Sequence, residues 1–303
     1  MVSSDLFYVT DNIGNPNMSS QITTAFVEQY KSNVMDLVQQ KGSRLRSAVM
    51  SDTVQGKKKF YEQVGTTNAQ LRTSRHADSP LVNTPHLRRS MTLEDYEWGD
   101  LIDNADRVRL LIDPTDAYAR NAAWAMGRAM DDVIITALLG TSYTGVSGGT
   151  STALPSTQKI AHNSTGLTIE KLITARKIFN SNDLDTDEQL YMAVNAAMLE
   201  DLLLETEVQS ADYNTVKALV RGEIDTFLGF KFIHTERLGT DATPNRQCIA
   251  WAKSGIQLGI GADIKASVAP RADKSFSTYV YFCMSIGATR LEEKKVVEIA
   301  CSE

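Results

Sequence analysis

The fold is decided by residues 111–140, LIDPTDAYARNAAWAMGRAMDDVIITALLG, which predict one long helix. Asp113 and Pro114 are a typical helix start, because an Asp side chain caps free N–H groups and Pro fits the first helical position. Apolar residues then recur at steps of three and four along one stripe: Ala122, Met126, Ala129, Met130, Val133 and Ala137. A helix over Pro114–Leu139, ended by Gly140, would run about 39 Å at about 1.5 Å per residue. Its small alanines would let a neighbouring element pack closely.

A long connection between two strand-like segments precedes this helix. Residues 57–64 indicate a strand with a basic start, and residues 86–98 indicate a second strand with a bulge near Glu94-Asp95. The connection at 65–86 has 22 residues, whereas loops in compact domains usually have about 4–6. Its only large apolar residues are Leu71, Leu81 and Val82. Either this connection is disordered or it is an arm that a neighbour orders, and its strand-like flanks favour the arm.

The rest of the chain is predicted as an N-terminal arm and a sheet assembled from distant segments. Residues 1–18 are polar and indicate an extended arm, and residues 19–49 indicate an amphipathic helix. Beyond the long helix we predict a flexible loop at 141–157, helices at 167–180, 198–207 and 213–221, and strands at 189–196, 227–234, 247–251, 256–260, 264–268, 277–286 and 295–299. A long helix followed by a sheet of distant segments is an α+β pattern, not an alternating βαβ one.

Charge is segregated along the chain. The composition is that of a globular protein, with 42% hydrophobic and 22% charged residues and a net charge of −6. Residues 41–90 carry ten basic and three acidic groups, a net of +7, whereas residues 91–132 carry −6 and residues 181–225 carry −9. A basic stretch in an acidic chain favours contact with phosphate or with acidic faces of another copy of the chain, and an ordinary solvated surface is the plain alternative.

The sequence gives no signal for export or membrane insertion. No run of about 18 apolar residues predicts a transmembrane helix, and the first residues lack the basic and apolar regions of a secretory signal. The cysteines, Cys248, Cys283 and Cys301, form no close pair, which favours a reducing compartment. We therefore expect the chain to stay where it is made, without membrane contact.

A single motif matches a catalytic pattern. Gly145-Val146-Ser147-Gly148-Gly149 fits GxSxG, the nucleophile elbow of serine hydrolases, but an elbow needs a strand before it and a helix after it. Here a helix end precedes the motif and a second Gly/Ser/Thr run follows, so a flexible linker explains it better. The four histidines show no zinc-binding spacing. We predict no enzyme activity and no catalytic, cofactor or metal site.

Two segments resemble a known family. Residues 88–103, RRSMTLEDYEWGDLID, resemble the segment that leaves the extended hairpin in podovirus-type major capsid proteins of tailed bacteriophages. LIDPT at 111–115 and AMGRAMDD at 125–132 resemble the start and body of the spine helix of those proteins. The chain is thus similar to the Hong Kong 97-like capsid fold family, specifically over about residues 85–145 and in element order elsewhere.

The resemblance implies a division of the chain and a function. The implied parts are an N-terminal arm with a helix (1–50), an extended β-hairpin loop (51–100), a peripheral domain with the spine helix (101–184), an axial domain (185–246) and a return to both sheets (247–303). The implied function is that of a structural major capsid protein. Such a protein self-assembles through hexamers and pentamers into an icosahedral shell around a double-stranded DNA genome.

The resemblance also places the extended hairpin on an adjacent subunit. The intersubunit contacts expected there are basic: Lys57, Lys58, Lys59, Arg72, Arg75, Arg88 and Arg89. The implied partners are copies of the chain, packaged DNA through weak non-specific contact, and scaffolding, portal and decoration proteins. The implied location is the virion, after synthesis in the host bacterial cytoplasm. Two other functions stay open, namely nucleic-acid binding through residues 41–90 and serine hydrolysis at Ser147.

Overall fold

The computed structural model describes residues 39–75, 78–79, 81–103, 115–204, 226–241 and 245–302. Several predicted elements lie outside these residues: the arm at 1–18, most of the helix at 19–49, the helix start at Asp113-Pro114 and the helix at 213–221. Among the described helices, none is both long and apolar enough to cross a membrane.

The described residues form a mixed α+β fold. The helices are α1 (Thr115–Leu139), α2 (Ile169–Ser181) and α3 (Ala196–Leu204). The strands are β1 (Met50–Thr53), β2 (Lys58–Val64), β3 (His86–Thr92), β4 (Glu94–Ile102), β5 (Ser142–Thr144), β6 (Thr150–Thr152), β7 (Lys159–Ile160), β8 (Leu190–Val194), β9 (Thr226–Phe227), β10 (Phe230–His234), β11 (Asn245–Ala252), β12 (Ile256–Arg271), β13 (Ser277–Arg290) and β14 (Val296–Ser302).

The strands are arranged in three sheets. The body sheet has the order β1-β12-β13-β4 and is dominated by the long antiparallel ribbon of β12 and β13. A six-stranded sheet has the order β7-β14-β11-β8-β10-β9 and mixes parallel and antiparallel pairs. The third sheet, β2-β3-β5-β6, begins with a hairpin that leaves the body. Strands from distant parts of the chain meet in each sheet, as the α+β pattern predicts.

Helix α1 lies against the body sheet and buries part of the predicted stripe. Ala122, Met126 and Met130 are buried, and Ile134 and Leu138 continue the same face at steps of four. The helix contacts β13, β4 and β12. The predicted long helix is therefore confirmed from Thr115 onward, and it ends at Leu139, beside Gly140, as predicted.

Two strand predictions need correction. The segment 86–98 is not one bulged strand, because it breaks at Leu93 into β3 and β4, which belong to different sheets. The strands predicted at 256–260 and 264–268 are one strand, β12, with register irregularities near Ala262. Each case follows from tertiary pairing: β3 pairs with β2 and β4 with β13, while β13 is long enough to pair with all of β12.

Two loop and helix predictions are wrong as well. The flexible loop at 141–157 contains the short hairpin β5–β6, because β5 pairs with β3 and extends the third sheet. The described end of the helix predicted at 19–49 is not helical over residues 39–45, and only Arg46–Ala48 form a 3₁₀ turn. That segment lies along α1, and several of its polar groups bond to Asp131 and Arg128 of that helix.

Asp131 of α1 holds this segment. Its carboxylate is fully buried and accepts four hydrogen bonds: from Gln40 Nε2 (2.5 Å), Ser43 Oγ (2.5 Å), Arg44 N (3.0 Å) and Leu45 N (3.1 Å). A buried carboxylate is tolerated only when its oxygens are fully paired. Asp131 therefore fixes the path of the chain just before β1.

Two neighbours on α1 complete this contact. A Cβ on Gly127 would lie 2.5 Å from the backbone of Gly42, so only glycine lets the segment approach the helix. The Arg128 Nη1 donates to Gln39 Oε1 (2.9 Å) and to the Gln40 carbonyl (3.1 Å). The AMGRAMDD run at 125–132 thus carries a docking groove for the chain that precedes β1.

Arg290 of β13 holds the other end of α1. Its buried guanidinium donates from Nη1 to the carbonyls of Leu138 (2.6 Å) and Gly140 (2.8 Å), and from Nη2 to that of Thr152 (3.2 Å). A cation suits the carbonyl end of a helix because the helix dipole is negative there. Burial lowers the pKa of Arg290, and Glu293 partly opposes that shift.

The six-stranded sheet carries α2 and α3. Thr168 caps α2 by accepting from Lys171 N at 3.3 Å. The Lys171 ammonium is nearly buried and donates to backbone carbonyls of the loop before α2, including Gly166 (2.7 Å), and to that of Ala300 in β14 (3.0 Å). This buried cation ties the start of α2 to β14.

Asp131→Asn is expected to lower the free energy of unfolding by at least about 2 kcal/mol, because either orientation of the amide sets an NH₂ group against a backbone N–H. Urea denaturation of the unassembled subunit measures the change. The matched control is Asp132→Asn, next in sequence, whose half-exposed carboxylate pairs with Arg237 and should cost less than about 1 kcal/mol. Equal losses in the two variants would contradict the role assigned to Asp131.

Candidate intersubunit surface

The extended hairpin, which we define as residues 58–92, projects a long loop from the body. Strands β2 and β3 pair in register from Lys58 opposite Thr92 to Val64 opposite His86. A further backbone hydrogen bond joins Gly65 N to the Pro85 carbonyl at 2.8 Å. Beyond that point the described residues of the loop have no helix or strand, which confirms the predicted long connection.

The loop exposes the apolar side chains that the sequence singled out. Leu71 is 90% exposed and Leu81 is 87% exposed, and Val64 and Leu87 at the end of the hairpin are also exposed. A single exposed leucine is ordinary, but several on one projecting segment mark a surface that another molecule covers. The loop therefore buries little within its own chain.

The base of the hairpin, which consists of its paired strands β2 and β3, is held firmly to the body. Lys59 pairs with Asp52 of β1 and also donates to the Thr53 carbonyl at 3.1 Å. Gln63 Nε2 donates to the Leu291 carbonyl at 2.7 Å, after the end of β13. The Lys59 ammonium lowers the pKa of the Asp52 carboxyl. A fixed base sets the direction in which the loop projects.

The seven predicted contact residues fall into three groups. Lys57, Arg72 and Arg75 are exposed, and the Arg72 guanidinium bonds to carbonyls of the loop itself. Lys58, which is exposed, and Lys59 and Arg88, which are partly exposed, lie on the two strands and have partners in their own chain. Arg89 is the exception, at only 4% exposure. A contact with another subunit stays a prediction for the first two groups.

Arg89 has a role inside its own subunit. Its Nη2 donates to Glu293 Oε2 at 2.5 Å, and Glu293 also lies 3.8 Å from Arg290. The alternation of a strand explains the difference from Arg88, because adjacent side chains point to opposite faces of the sheet. Sequence inspection could not separate the two arginines, since both belong to one basic pair.

The outer face of the hairpin combines cations with an aromatic ring. Lys58 Nζ lies 5.3 Å from the centre of the Phe60 ring, and the Arg88 guanidinium lies 5.3 Å from the same centre. Arg88 also pairs with Glu62 across the strands. These cation–π contacts order the long basic side chains and keep a positive surface on this face.

The basic segment 41–90 is not an unpaired cationic patch. Eight of its ten basic side chains contact groups of their own chain: Lys41 on Trp124, Arg44 on His234, Arg46 on Asp263, Lys58 on Ser147, Lys59 on Asp52, Arg72 on Ser74, Arg88 on Glu62 and Arg89 on Glu293. Non-specific nucleic-acid binding needs free cations aligned along a backbone. The arrangement therefore does not favour a nucleic-acid-binding protein.

Ser147 does not lie on a nucleophile elbow. It belongs to the turn between the antiparallel strands β5 and β6, whereas an elbow joins a strand to a helix. Its backbone carbonyl accepts from Lys58 Nζ at 3.0 Å. A Cβ on Gly148 would lie 2.4 Å from the Ser90 hydroxyl. The glycines thus fit the turn against the hairpin, and the match to GxSxG has a structural explanation.

A groove beside α1 was missed at the level of sequence. It has a volume of about 380 Å³ and lies between α1, β13 and the start of β4. Small residues of the helix line it, including Ala129 and Ala137, with the carboxylates Glu94 and Asp132 at its margin. The alanine stripe was a signal for close packing, but only the fold shows that part of the stripe is open.

Comparisons with known proteins agree on one family. The model of the phage capsid protein family matches residues 22–303. The structure is similar to that of the capsid of the cyanophage P-SCSP1u, with a TM-score of 0.72, 16% identity, and coverage of 93% of this chain and 94% of that one. No curated protein matches the chain significantly.

Two further capsid structures are similar. The capsid of Ralstonia phage GP4 gives a TM-score of 0.71 at 9% identity, over 97% of this chain and 98% of that one. The cyanophage Pam1 capsid gives a TM-score of 0.69 at 12% identity, over 96% of this chain and 99% of that one. Identities this low show a common fold, and the coverage shows that the fold extends over nearly the whole of each chain.

Arg89→Met is expected to lower the free energy of unfolding by about 3 kcal/mol, because it leaves the buried side of Glu293 without its closest partner. Arg88→Met removes an exposed pair and should cost less than about 1 kcal/mol. Urea denaturation of the unassembled subunits distinguishes the two. A larger loss for Arg88→Met would overturn the assignment of the buried and exposed faces.

Proposed function

This chain belongs to the phage capsid protein family and is a structural capsid protein, and we propose that it assembles through hexamers and pentamers into an icosahedral shell. The shell would enclose the double-stranded DNA genome of a tailed phage. The subunit would then be located in the virion after synthesis in the host bacterial cytoplasm.

The proposal of self-assembly rests on the extended hairpin. Leu71 and Leu81 are almost fully exposed on a loop that leaves the body, while the base of the hairpin is fixed by Lys59 and Gln63. A fixed base with an apolar, uncovered end fits a segment that an adjacent subunit covers. Burial of these side chains would supply most of the contact energy, and the charges would supply register.

The proposed division into domains follows the expected one. The peripheral domain would comprise residues 101–184 with α1 as the spine, the axial domain residues 185–246, and residues 247–303 would return to both. Within residues 101–184, β7 and α2 lie on the six-stranded sheet and would belong with the axial part. In the six-stranded sheet, β11 pairs with β8, which supports a return of the chain to the axial domain. In the body sheet, β12 and β13 pair beneath α1, which supports a return to the peripheral domain.

The proposed contact residues are six of the seven basic residues that were expected. Lys57, Lys58, Lys59, Arg72, Arg75 and Arg88 are accessible for contact with acidic surfaces of a neighbour, whereas Arg89 is assigned to its own subunit. The further partners that we propose are packaged DNA through weak contact, and scaffolding, portal and decoration proteins.

Replacing residues 64–86 with Asn-Gly tests the proposal. Gln63 and Leu87 face each other in register as a hydrogen-bonded pair, so a two-residue turn can close the hairpin without moving its strands. We expect a folded subunit with a melting temperature near that of the parent, and no shells or capsomers. Electron microscopy and sedimentation velocity of the expressed protein measure assembly.

A matched variant separates the apolar contact from loop length. Leu71→Asp combined with Leu81→Asp keeps the loop but removes its apolar side chains, and it should also prevent assembly. The control is Val146→Asp, because Val146 is an exposed apolar residue on the β5–β6 turn, outside the loop. Normal shells from the shortened chain would contradict a role of the loop in assembly.

A further inference from the structure

A second apolar surface lies on the six-stranded sheet, away from the extended hairpin. Ile173 on α2 is 55% exposed, and Leu228 in the turn between β9 and β10 is 39% exposed. With Arg176, Lys177 and Asn180 they line a shallow depression of about 490 Å³. We refer to Ile173, Arg176, Lys177 and Leu228 as the α2 patch.

Leu228 is unfavourable in its position for two independent reasons. Its side chain is exposed to water, and its backbone is in the left-handed region at φ 51°, next to Gly229 at φ 82°. Two positive φ values between paired Phe227 and Phe230 define a two-residue hairpin turn in which Asn or Asp normally precedes Gly. A strained and exposed leucine indicates that its side chain is used by a partner.

The cations of the patch lie around the apolar pair. The Arg176 guanidinium packs over the turn, since a Cβ on Gly229 would lie 3.1 Å from its Nη1. Lys177, next on α2, is exposed. An apolar depression with two cations at its edge fits a partner that offers an apolar side chain beside a carboxylate.

Helix α3 of the same chain has such a surface. Ala196, Glu200 and Leu204 are all exposed, and their spacing of four places them on one face of the helix. Leu204 is 64% exposed. Because Leu204, Leu228 and Ile173 are all exposed in the single chain, the two surfaces do not cover each other within one subunit.

We propose that the α2 patch of one subunit binds the exposed face of α3 on a second copy, with Lys177 opposite Glu200 and Leu204 against Ile173 and Leu228. This inference rests on the proposed self-assembly and names one of its contacts. Two different surfaces of the same chain make a head-to-tail contact, which closes into a ring when the rotation between copies divides a full turn. The contact would thus act within a hexamer or pentamer.

Leu228→Asn is the first test. Asn-Gly suits the turn, so the melting temperature of the unassembled subunit should stay level or rise, while the yield of shells in electron microscopy should fall at least tenfold. A purely structural role for Leu228 could not produce a stable subunit that fails to assemble. Val146→Asn, at another exposed apolar position, is the control and should assemble like the parent.

A charge exchange tests the identity of the partner surface. Lys177→Glu and Glu200→Lys should each reduce assembly, and the double variant should restore it, because the pair is re-formed with its charges reversed. Normal assembly of Leu228→Asn and of both charge variants would overturn the contact while leaving the proposed shell function intact. Impaired single variants without rescue would exclude α3 as the occupant. A parent chain that never assembles would instead refute the proposed function.

Discussion

The buried carboxylate of Asp131 is the constraint on which the arrangement around α1 depends. It satisfies two backbone N–H groups and two polar side chains of the segment before β1, and the neighbouring Gly127 leaves the space for that segment. At the carbonyl end of the helix, Arg290 donates hydrogen bonds to the carbonyls of Leu138 and Gly140. With α1 held by a carboxylate on one side and a guanidinium at its end, both the start of β1 and the β5–β6 hairpin have fixed positions.

These fixed positions determine where the extended hairpin points. Strand β2 follows β1 closely, and β3 pairs with β5 as well as with β2, so the hairpin is anchored through both of its strands. The Arg89–Glu293 pair adds a buried link between the hairpin and the end of β13. A rigid base and an uncovered apolar tip are the combination that a shell subunit needs, because register between copies is lost when the projecting arm can swing.

Sequence reasoning predicted the elements governed by local patterns and missed those governed by tertiary pairing. Helices α1 and α2 follow from the spacing of their apolar residues. The break at Leu93 and the β5–β6 hairpin depend on which distant strand is available, which no local pattern contains. The site shows the same limit: Arg88 and Arg89 are equivalent in sequence, and only strand alternation and Glu293 make one exposed and the other buried.

The fold also shows where the basic side chains of residues 41–90 lie. Four of the ten basic side chains in residues 41–90 pair with carboxylates of the subunit, and the tip of the hairpin exposes Leu71 and Leu81 beside its remaining cations. The central claim is that this tip is covered by another copy. A cryo-electron microscopy map of the assembled particle tests it most directly. We expect Leu71 and Leu81 to be buried against an adjacent subunit. A shell in which both side chains face solvent, or pack only on their own subunit, would contradict the account.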